Sequence, residues 1–392
     1  MAYQIDESHG SEPTIGFHLV EQSLSRFDKT ILVTSDTTDN SLLKRLSAKY
    51  EKRIDIHVVP VRSIAWSAHP ILFYPNYRNW QKDFGRFLKQ SGIQFDLGIH
   101  ASLGTFLFGS GFSMSSQPYI YGPAGFSFFN IHYLKAYGWN SILEIWRNIA
   151  VLLLLICDPF VRNSLLKAES VIAGDMLVMN KLKMLHPKIK LMQKPVPHVQ
   201  IPDFKFEDDI LEKIDVDLIW AGRFIPRKDP LFALEAFKEI LLLKPEAKLT
   251  MIGDGKLRSR VEDFLEKHEL LEAVNLTGWV DKNQVMKLMR RANLMIFTSF
   301  RETAGVQLFE CNNVGTRVVA LDATGASSWY ENELLEFVSA DLFEGRKSLA
   351  RKFALQALIS RDLALLHTSD SDKQASKSYL MDEIFLAIQS DR

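Results

Sequence analysis

Cysteine is nearly absent from this sequence: its 392 residues include only Cys157 and Cys311, which lie far apart. Two distant cysteines exclude a disulfide-stabilised scaffold and a cysteine-rich zinc module, and they agree with a reducing compartment. An excess of one charge is missing as well, since 47 lysines and arginines balance 47 aspartates and glutamates. Nucleic-acid-binding proteins normally carry a basic excess, so the composition argues against that class.

Long hydrophobic runs are also missing. The longest uninterrupted apolar run covers residues 149–157, and Glu144 and Arg147 stand just before it. A membrane span needs about 20 apolar residues, so we expect a buried helix or a helix at a membrane edge. Residues 1–13 are polar and acidic, so no secretion signal is expected there. The expected location is the cytoplasm.

The charges are distributed unevenly along the chain. Residues 1–200 carry 21 basic and 15 acidic side chains, and the remaining residues carry the opposite imbalance. A basic first half favours contact with an anionic phospholipid surface, although a solvated face would look the same. We therefore expect the first half, with residues 142–157, to contact the inner face of the plasma membrane.

Short apolar runs alternate with amphipathic stretches, which predicts βαβ units and parallel sheets. The fold class is therefore α/β, with two Rossmann-like doubly wound domains facing a central cleft. Prolines at 195, 197 and 202 indicate a linker. The predicted domains are residues 1–200 and 201–368, followed by a C-terminal helix in 369–392 that packs back on the first domain. The predicted strands are 29–34, 54–60, 95–100, 118–121, 171–173, 217–222, 248–253, 274–277, 294–298 and 317–320.

Candidate binding groups follow the strands of the second half. Arg223 and Lys228 come just after strand 217–222, where a planar guanidinium and a mobile ammonium can neutralise a diphosphate. Gly253 ends the next strand and permits a tight turn with close approach to a ligand. Taken singly, each of these features is also common on ordinary surfaces and loops.

A sharper pattern follows strand 294–298. Glu302 stands in the loop after the strand, Gly305 opens a helix, and Glu310 lies on that helix eight residues after the first glutamate. A helix N-terminus offers backbone N–H groups and a partial positive charge to a phosphate. The pattern therefore predicts an anion site flanked by two carboxylates.

Together these motifs resemble the nucleotide-sugar domain of retaining GT-B glycosyltransferases of family 4 (glycosyl transferases group 1). The first half is similar to the branch of that family that works on bacterial surface polysaccharides. The segments that carry the resemblance are Gly222–Lys228, Gly253–Gly255, Gly278–Val280, Glu302–Glu310, Gly10–Phe17, Tyr74–Gln81, Phe95–His100 and Tyr121–Gly125.

The resemblance implies specific roles in binding a UDP- or GDP-type sugar donor. Glu302 would contact the donor sugar and stabilise its oxocarbenium-like state, and His100 is the second implied catalytic residue, with a structural role equally open. The implied diphosphate contacts are Arg223, Lys228, Gly10, Ser11, Gly305 and Val306. The implied nucleoside contacts are Glu310, Val280 and Gly253.

The resemblance also implies a metal-independent hexosyltransferase that needs no cofactor and acts on a glycan or lipid-linked glycan. An Asp-x-Asp pattern occurs at Asp370–Asp372, which we interpret as part of a polar linker. Two departures from the family pattern are Thr303-Ala304 after the first glutamate and Arg317 in place of a proline. A nucleotide-sugar epimerase and a non-catalytic sugar-nucleotide-binding homologue remain as alternatives.

Overall fold

The computed structural model describes residues 1–7, 11–62, 73–126, 128–192, 216–302, 305–324, 327 and 333–366. These residues form two compact units. The described part of the first unit comprises residues 1–126 and 149–192, and that of the second comprises 128–148 and 216–366. The predicted linker around residue 200, the predicted C-terminal helix in 369–392 and the Asp370–Asp372 pattern lie outside the described residues.

In the first unit, short parallel strands alternate with helices. The strands are β1 (Thr30–Ser35), β2 (Ile54–Val59), β3 (Gly98–His100), β4 (Tyr119–Ala124) and β5 (Ser170–Ala173). The helices are α1 (Ser11–Arg26), α2 (Asn40–Tyr50), α3 (Phe73–Ser91), α5 (Asn140–Cys157), α6 (Pro159–Leu166) and α7 (Met176–Leu185). Helix α5 extends across the boundary between the two units.

The second unit begins with a short helix, α4 (Leu134–Tyr137), and continues with a regular alternation of strands and helices. The strands are β6 (Val216–Ala221), β7 (Leu249–Ile252), β8 (Val274–Gly278), β9 (Ala292–Phe297), β10 (Arg317–Leu321) and β11 (Leu335–Val338). The helices are α8 (Pro230–Leu241), α9 (Arg258–Lys267), α10 (Lys282–Arg291), α11 (Val306–Val314) and α12 (Arg346–Leu366).

All strand pairs in the described part of the first unit are parallel. β1 pairs with β2, and β3, β4 and β5 form a separate three-stranded sheet. Residues 1–3 lie between these sheets, because the Ala2 amide donates to the Val33 carbonyl at 3.1 Å and the Ala101 amide donates to the Met1 carbonyl at 2.8 Å. The predicted α/β class with parallel strands is confirmed here.

The second unit contains a six-stranded parallel sheet in the order β11-β10-β9-β6-β7-β8. The strand order reverses between β6 and β9, so connections leave these neighbouring strands in opposite directions. In open α/β sheets, ligands bind beside the carboxyl ends of the strands at such a point. Buried strands such as β9 and β10 are almost wholly apolar, as a sheet covered on both faces requires.

Residues 128–148 belong to the second unit, whereas the predicted first domain, residues 1–200, includes them. Packing explains the difference: the ring of Tyr137 stacks on Phe300 with centroids 4.7 Å apart, and Tyr133 meets the same ring edge-on. The Tyr133 hydroxyl also donates to the Val338 carbonyl at 3.1 Å. Such contacts join residues far apart in the sequence and leave no local pattern.

Asp175 caps α7 in the first unit and is 5% exposed. Its carboxylate accepts a hydrogen bond from the Val178 amide at 2.8 Å. Burial raises the pKa of Asp175 to about 6, although the amides of Val178 and Leu177 oppose the shift. The folded state therefore binds a proton more tightly than the unfolded chain does. The stability that this provides is complete below pH 4 and is lost as the pH rises through 6.

Replacing the Asp175 carboxyl by an amide removes the loss of stability at high pH, because an amide does not ionise. The amide still offers an oxygen that can cap the helix. We expect Asp175→Asn to melt at the same temperature as wild type near pH 4 and about 5 °C higher at pH 8. Thermal unfolding followed by circular dichroism across pH 4–8 measures the difference. Parallel curves at every pH would contradict the assignment.

Candidate functional site

Two loops meet beside the carboxyl ends of β6 and β9, where the strand order of the second unit reverses. The Thr298 hydroxyl donates to the Lys228 carbonyl at 3.0 Å and accepts from the indole N–H of Trp220 at 2.9 Å. The Phe300 amide donates to the Arg227 carbonyl at 2.9 Å. These hydrogen bonds fix both loops together, so their side chains share one site.

Glu302 is the centre of this site. Its Oε1 atom lies 2.8 Å from Lys228 Nζ and 2.6 Å from Arg227 Nη1. The side chains of Glu302 and Lys228 are only 13% and 12% exposed. A buried carboxylate between two cations forms charge-assisted hydrogen bonds that are stronger than neutral ones.

Burial and the neighbouring charges shift the pKa values of Glu302 and Lys228. Burial alone would raise the pKa of Glu302, but Lys228 and Arg227 hold it below its ordinary value. Burial lowers the pKa of Lys228, and the neighbouring guanidiniums of Arg227 and Arg223 lower it further against the opposing effect of Glu302. Glu302 is therefore an anion at neutral pH in strongly cationic surroundings.

A second ion-pair group adjoins the first. Arg301 Nε lies 3.0 Å from the carboxylate of Glu144, which also binds Arg147 Nε at 2.6 Å. Burial is the main cause that lowers the pKa of Arg301, and nearby Arg147 adds to it. The site thus joins five cationic side chains and two carboxylates, and its net positive charge suits an anionic ligand. The cations are Arg147, Arg223, Arg227, Lys228 and Arg301.

Helix α11 begins at this site. Its N-cap is Gly305, with φ of 58°, and no side chain in the described part of the chain caps the helix. The Gln307 side chain donates to the Ala221 carbonyl at 2.7 Å and accepts from Lys228 Nζ at 3.3 Å. The first turn of α11 is therefore anchored beside the cations, where its N–H groups and dipole add to their positive potential.

The loop that carries Lys228 is fixed from behind by Arg346 of α12. Its guanidinium binds Asp229 through two hydrogen bonds, of 2.6 and 3.0 Å, and reaches Glu235 at 2.8 Å. Asp229 has a φ of 44° and caps α8 by accepting from the Phe232 amide. Arg346 thus stabilises a strained turn and positions Lys228 without belonging to the site itself.

The groups predicted to bind a nucleoside come from other parts of this unit: Gly253 follows β7, Val280 follows β8 and Glu310 lies on α11. Glu310 is 6% exposed, and its carboxylate pairs with Lys282, whose side chain is half exposed. Gly253 has a φ of 121°, and a Cβ there would lie 2.0 Å from the Gly222 carbonyl oxygen, so only glycine fits. Val280 is partly buried against the core beneath α11.

The structure gives His100 of the first unit a packed environment. The residue is 1% exposed, with Nε2 3.1 Å from the Tyr77 hydroxyl and Nδ1 3.0 Å from the Ser110 hydroxyl. This arrangement fits the structural alternative, and the catalytic role of His100 stays a prediction. Gly10 lies outside the described residues. Of Ser11 and Val306 only the backbone is described, and each begins a helix.

Sequence reasoning missed Arg227, Arg301 and Glu144. The Arg227-Lys228 pair was a usable signal, because both cations follow the same strand. Glu144 and Arg301 are 157 residues apart, and nothing in their local sequences connects them. Within the described ranges, no group of three or more histidine, cysteine or acidic side chains is arranged to hold a metal ion.

Residues 204–338 match the family model described as glycosyl transferases group 1. The chain is 29% identical over 101 residues to Uncharacterized glycosyltransferase MJ1059 of Methanocaldococcus jannaschii, which is 26% of this chain and 24% of that protein. It is 23% identical over 159 residues to the UDP-Gal:alpha-D-GlcNAc-diphosphoundecaprenol alpha-1,3-galactosyltransferase of Escherichia coli, 39% of this chain and 41% of that protein. The chain thus spans less than half the length of these relatives.

The similarity in structure is broader. The crystal structure of HepE from Anabaena in complex with UDP aligns over 100% of both chains, with a TM-score of 0.57 at 13% identity. At 13% identity, this structural similarity shows the fold alone. Residues 204–338 therefore resemble a glycosyl transferases group 1 domain, and the chain as a whole has an α/β fold with parallel sheets, like that of the GT-B glycosyltransferases.

Proposed function

We propose that this protein is a retaining glycosyltransferase that takes a sugar from a UDP- or GDP-type donor. The observation that carries the proposal is the net positive, largely buried cluster around Glu302, at the point where the strand order of the second unit reverses. The match to glycosyl transferases group 1 over the same residues supports it, as does the UDP bound to HepE.

The proposed chemistry follows from the charges. Breaking a sugar–phosphate bond moves negative charge onto the diphosphate, while positive charge develops at the anomeric carbon. Lys228, Arg227 and Arg223 would hold the departing diphosphate, with the N-terminus of α11 assisting. Cations fixed in place before the reaction stabilise the transition state more than the ground state. Glu302, an anion at neutral pH, would face the positive charge on the sugar.

Donor binding requires an exchange of partners at Glu302. In the structure, Glu302 neutralises part of the charge of Lys228 and Arg227. A diphosphate would take over these cations and release the carboxylate toward the sugar hydroxyls. Metal independence is part of the proposal, because these side chains offer the positive charge that a divalent ion would otherwise supply.

At the other end of the donor, Glu310 would bind the ribose hydroxyls, with Val280 and Gly253 beside the base. We propose a glycan or lipid-linked glycan of a bacterial surface polysaccharide as acceptor, and a cytoplasmic location at the inner face of the plasma membrane. The Escherichia coli relative, whose name specifies a diphosphoundecaprenol substrate, supports this part of the proposal.

Neutralising Glu302 tests its role in the transition state. We expect Glu302→Gln to lower kcat by about a hundredfold or more without raising KM for the donor, because the neutral amide no longer competes with the diphosphate for Lys228 and Arg227. Transfer from a labelled nucleotide sugar is measured in the presence of EDTA, and the exposed Glu262→Gln serves as control. Full turnover by Glu302→Gln would contradict the role, and isomerised donor formed without acceptor would support an epimerase instead.

We expect removal of the proposed donor contacts to weaken binding of the nucleotide donor. Lys228→Ala and Glu310→Ala each lose a charge-assisted hydrogen bond, so donor affinity falls by about 10- to 100-fold. The rise in melting temperature on adding UDP or GDP measures this, since a ligand specific for the folded state stabilises it. Lys238→Ala, on the exposed side of α8, is the matched control. An undiminished nucleotide shift in Lys228→Ala would refute its assignment.

Arg227 is expected to influence how activity depends on pH. Because its guanidinium helps to hold the pKa of Glu302 low, Arg227→Gln raises that pKa. Activity needs the ionised carboxylate, so we expect the acid limb of the kcat/KM profile to move to higher pH. Arg258→Gln, which breaks a surface pair with Glu262, is expected to leave the profile unchanged. An unshifted acid limb in Arg227→Gln would show that another group controls it.

A further inference from the structure

Helix α5 has two opposite faces. One face is attached to the fold at each turn: Asn148 accepts from the Phe129 amide at 3.1 Å and donates to its carbonyl at 3.0 Å. The Leu155 carbonyl lies 2.9 Å from Nε2 of the buried His186. We call this the inner face; it consists of Ser141, Glu144, Asn148, Val151 and Leu155, spaced three or four residues apart.

The other face is apolar and exposed. Trp139, just before the helix, is 87% exposed, Leu143 is 72% exposed and Trp146 is 66% exposed. At 3.6 residues per turn, these side chains fall on the side opposite the inner face. We call this the outer face; it consists of Trp139, Ile142, Leu143, Trp146, Ile149, Leu153 and Ile156.

Among the described residues, α5 is the one helix long and apolar enough to cross a membrane, and only 17% of it is buried within the fold. Length and composition alone are weak evidence for a span. A crossing helix would place Glu144, Arg147 and Asn148 in hydrocarbon and break their contacts with Arg301 and Phe129. A helix that lies in the interface keeps these contacts and buries only its outer face.

The charges near α5 indicate which surface covers it. The carboxylates of Glu144 and Asp158 are each bound by arginine side chains. Lys135 before the helix and Arg162 after it are exposed, and neither forms an ion pair within the described residues. Exposed cations shortly before and after an apolar helix attract anionic lipid head groups, and tryptophan is enriched at the membrane–water boundary.

We infer that the outer face of α5 is a docking surface for an anionic phospholipid bilayer, with the helix lying in the interfacial plane. Trp139 and Trp146 enter the head-group region, and Leu143 and Leu153 reach the acyl boundary. This inference deepens the proposed function by naming the surface that would meet a lipid-linked acceptor. It does not depend on the donor chemistry, because vesicle binding and nucleotide binding are measured separately.

The test uses the full chain and vesicles of phosphatidylcholine with or without phosphatidylglycerol. We expect wild type to sediment with the anionic vesicles at low salt, less so at high salt, and with a blue shift of tryptophan fluorescence. Leu143→Ser/Trp146→Ser is expected to weaken vesicle binding by about tenfold or more through lost apolar burial. Its nucleotide-induced thermal shift is expected to equal that of wild type, which separates docking from donor binding.

Leu242→Ser/Leu243→Ser is the matched control, because these leucines are similarly exposed at the end of α8. It is expected to bind vesicles as wild type does. Three results would overturn the inference: wild type that binds no anionic vesicle at low salt, a Leu143→Ser/Trp146→Ser variant that binds as tightly as wild type, or a wild-type dimer that this variant dissociates. The last result would assign the outer face to a second copy of the chain.

Discussion

The candidate site depends on one electrostatic constraint: Glu302 is a buried anion surrounded by more positive charge than it can neutralise. Lys228 and Arg227 bind it directly, and Arg301 contributes from the adjacent residue. Buried cations are costly unless they are paired. A fold that concentrates them at the carboxyl ends of β6 and β9 has a region in which an anionic ligand is stabilised as soon as it enters.

The surrounding structure keeps these charges in place. Arg346 lies outside the site, yet its two hydrogen bonds to Asp229 fix the turn after Lys228. Thr298 and Gln307 connect the loop after β6 to the loop after β9 and to α11. Fixed cations do not have to reorganise when charge moves in a reaction. The rigidity of this part of the sheet is therefore a property of the site as much as of the fold.

Much of the fold and part of the site could be predicted from sequence. Continuous apolar runs such as β9 identify buried parallel strands, and the residues after such strands gather at one edge, so the proximity of Arg223, Lys228 and Glu302 could be predicted, while their roles stay predictions. The Glu144–Arg301 pair was not, because it joins residues 157 positions apart. The placement of residues 128–148 in the second unit depends on aromatic packing against Phe300, which has no local signature either.

The two glutamates predicted to bind the donor, Glu302 and Glu310, are held in different ways, and the difference bears on the proposed reaction. Glu310 pairs with Lys282, whose half-exposed ammonium can return to water at little cost. Glu302 pairs with Lys228 out of solvent, where a cation deprived of its partner is strongly destabilised. At Glu310 only the carboxylate is buried, whereas at Glu302 both partners are buried, so Lys228 gives up Glu302 only when another anion arrives. A diphosphate is such an anion, so in the proposed reaction release of the Glu302 carboxylate would be coupled to donor binding.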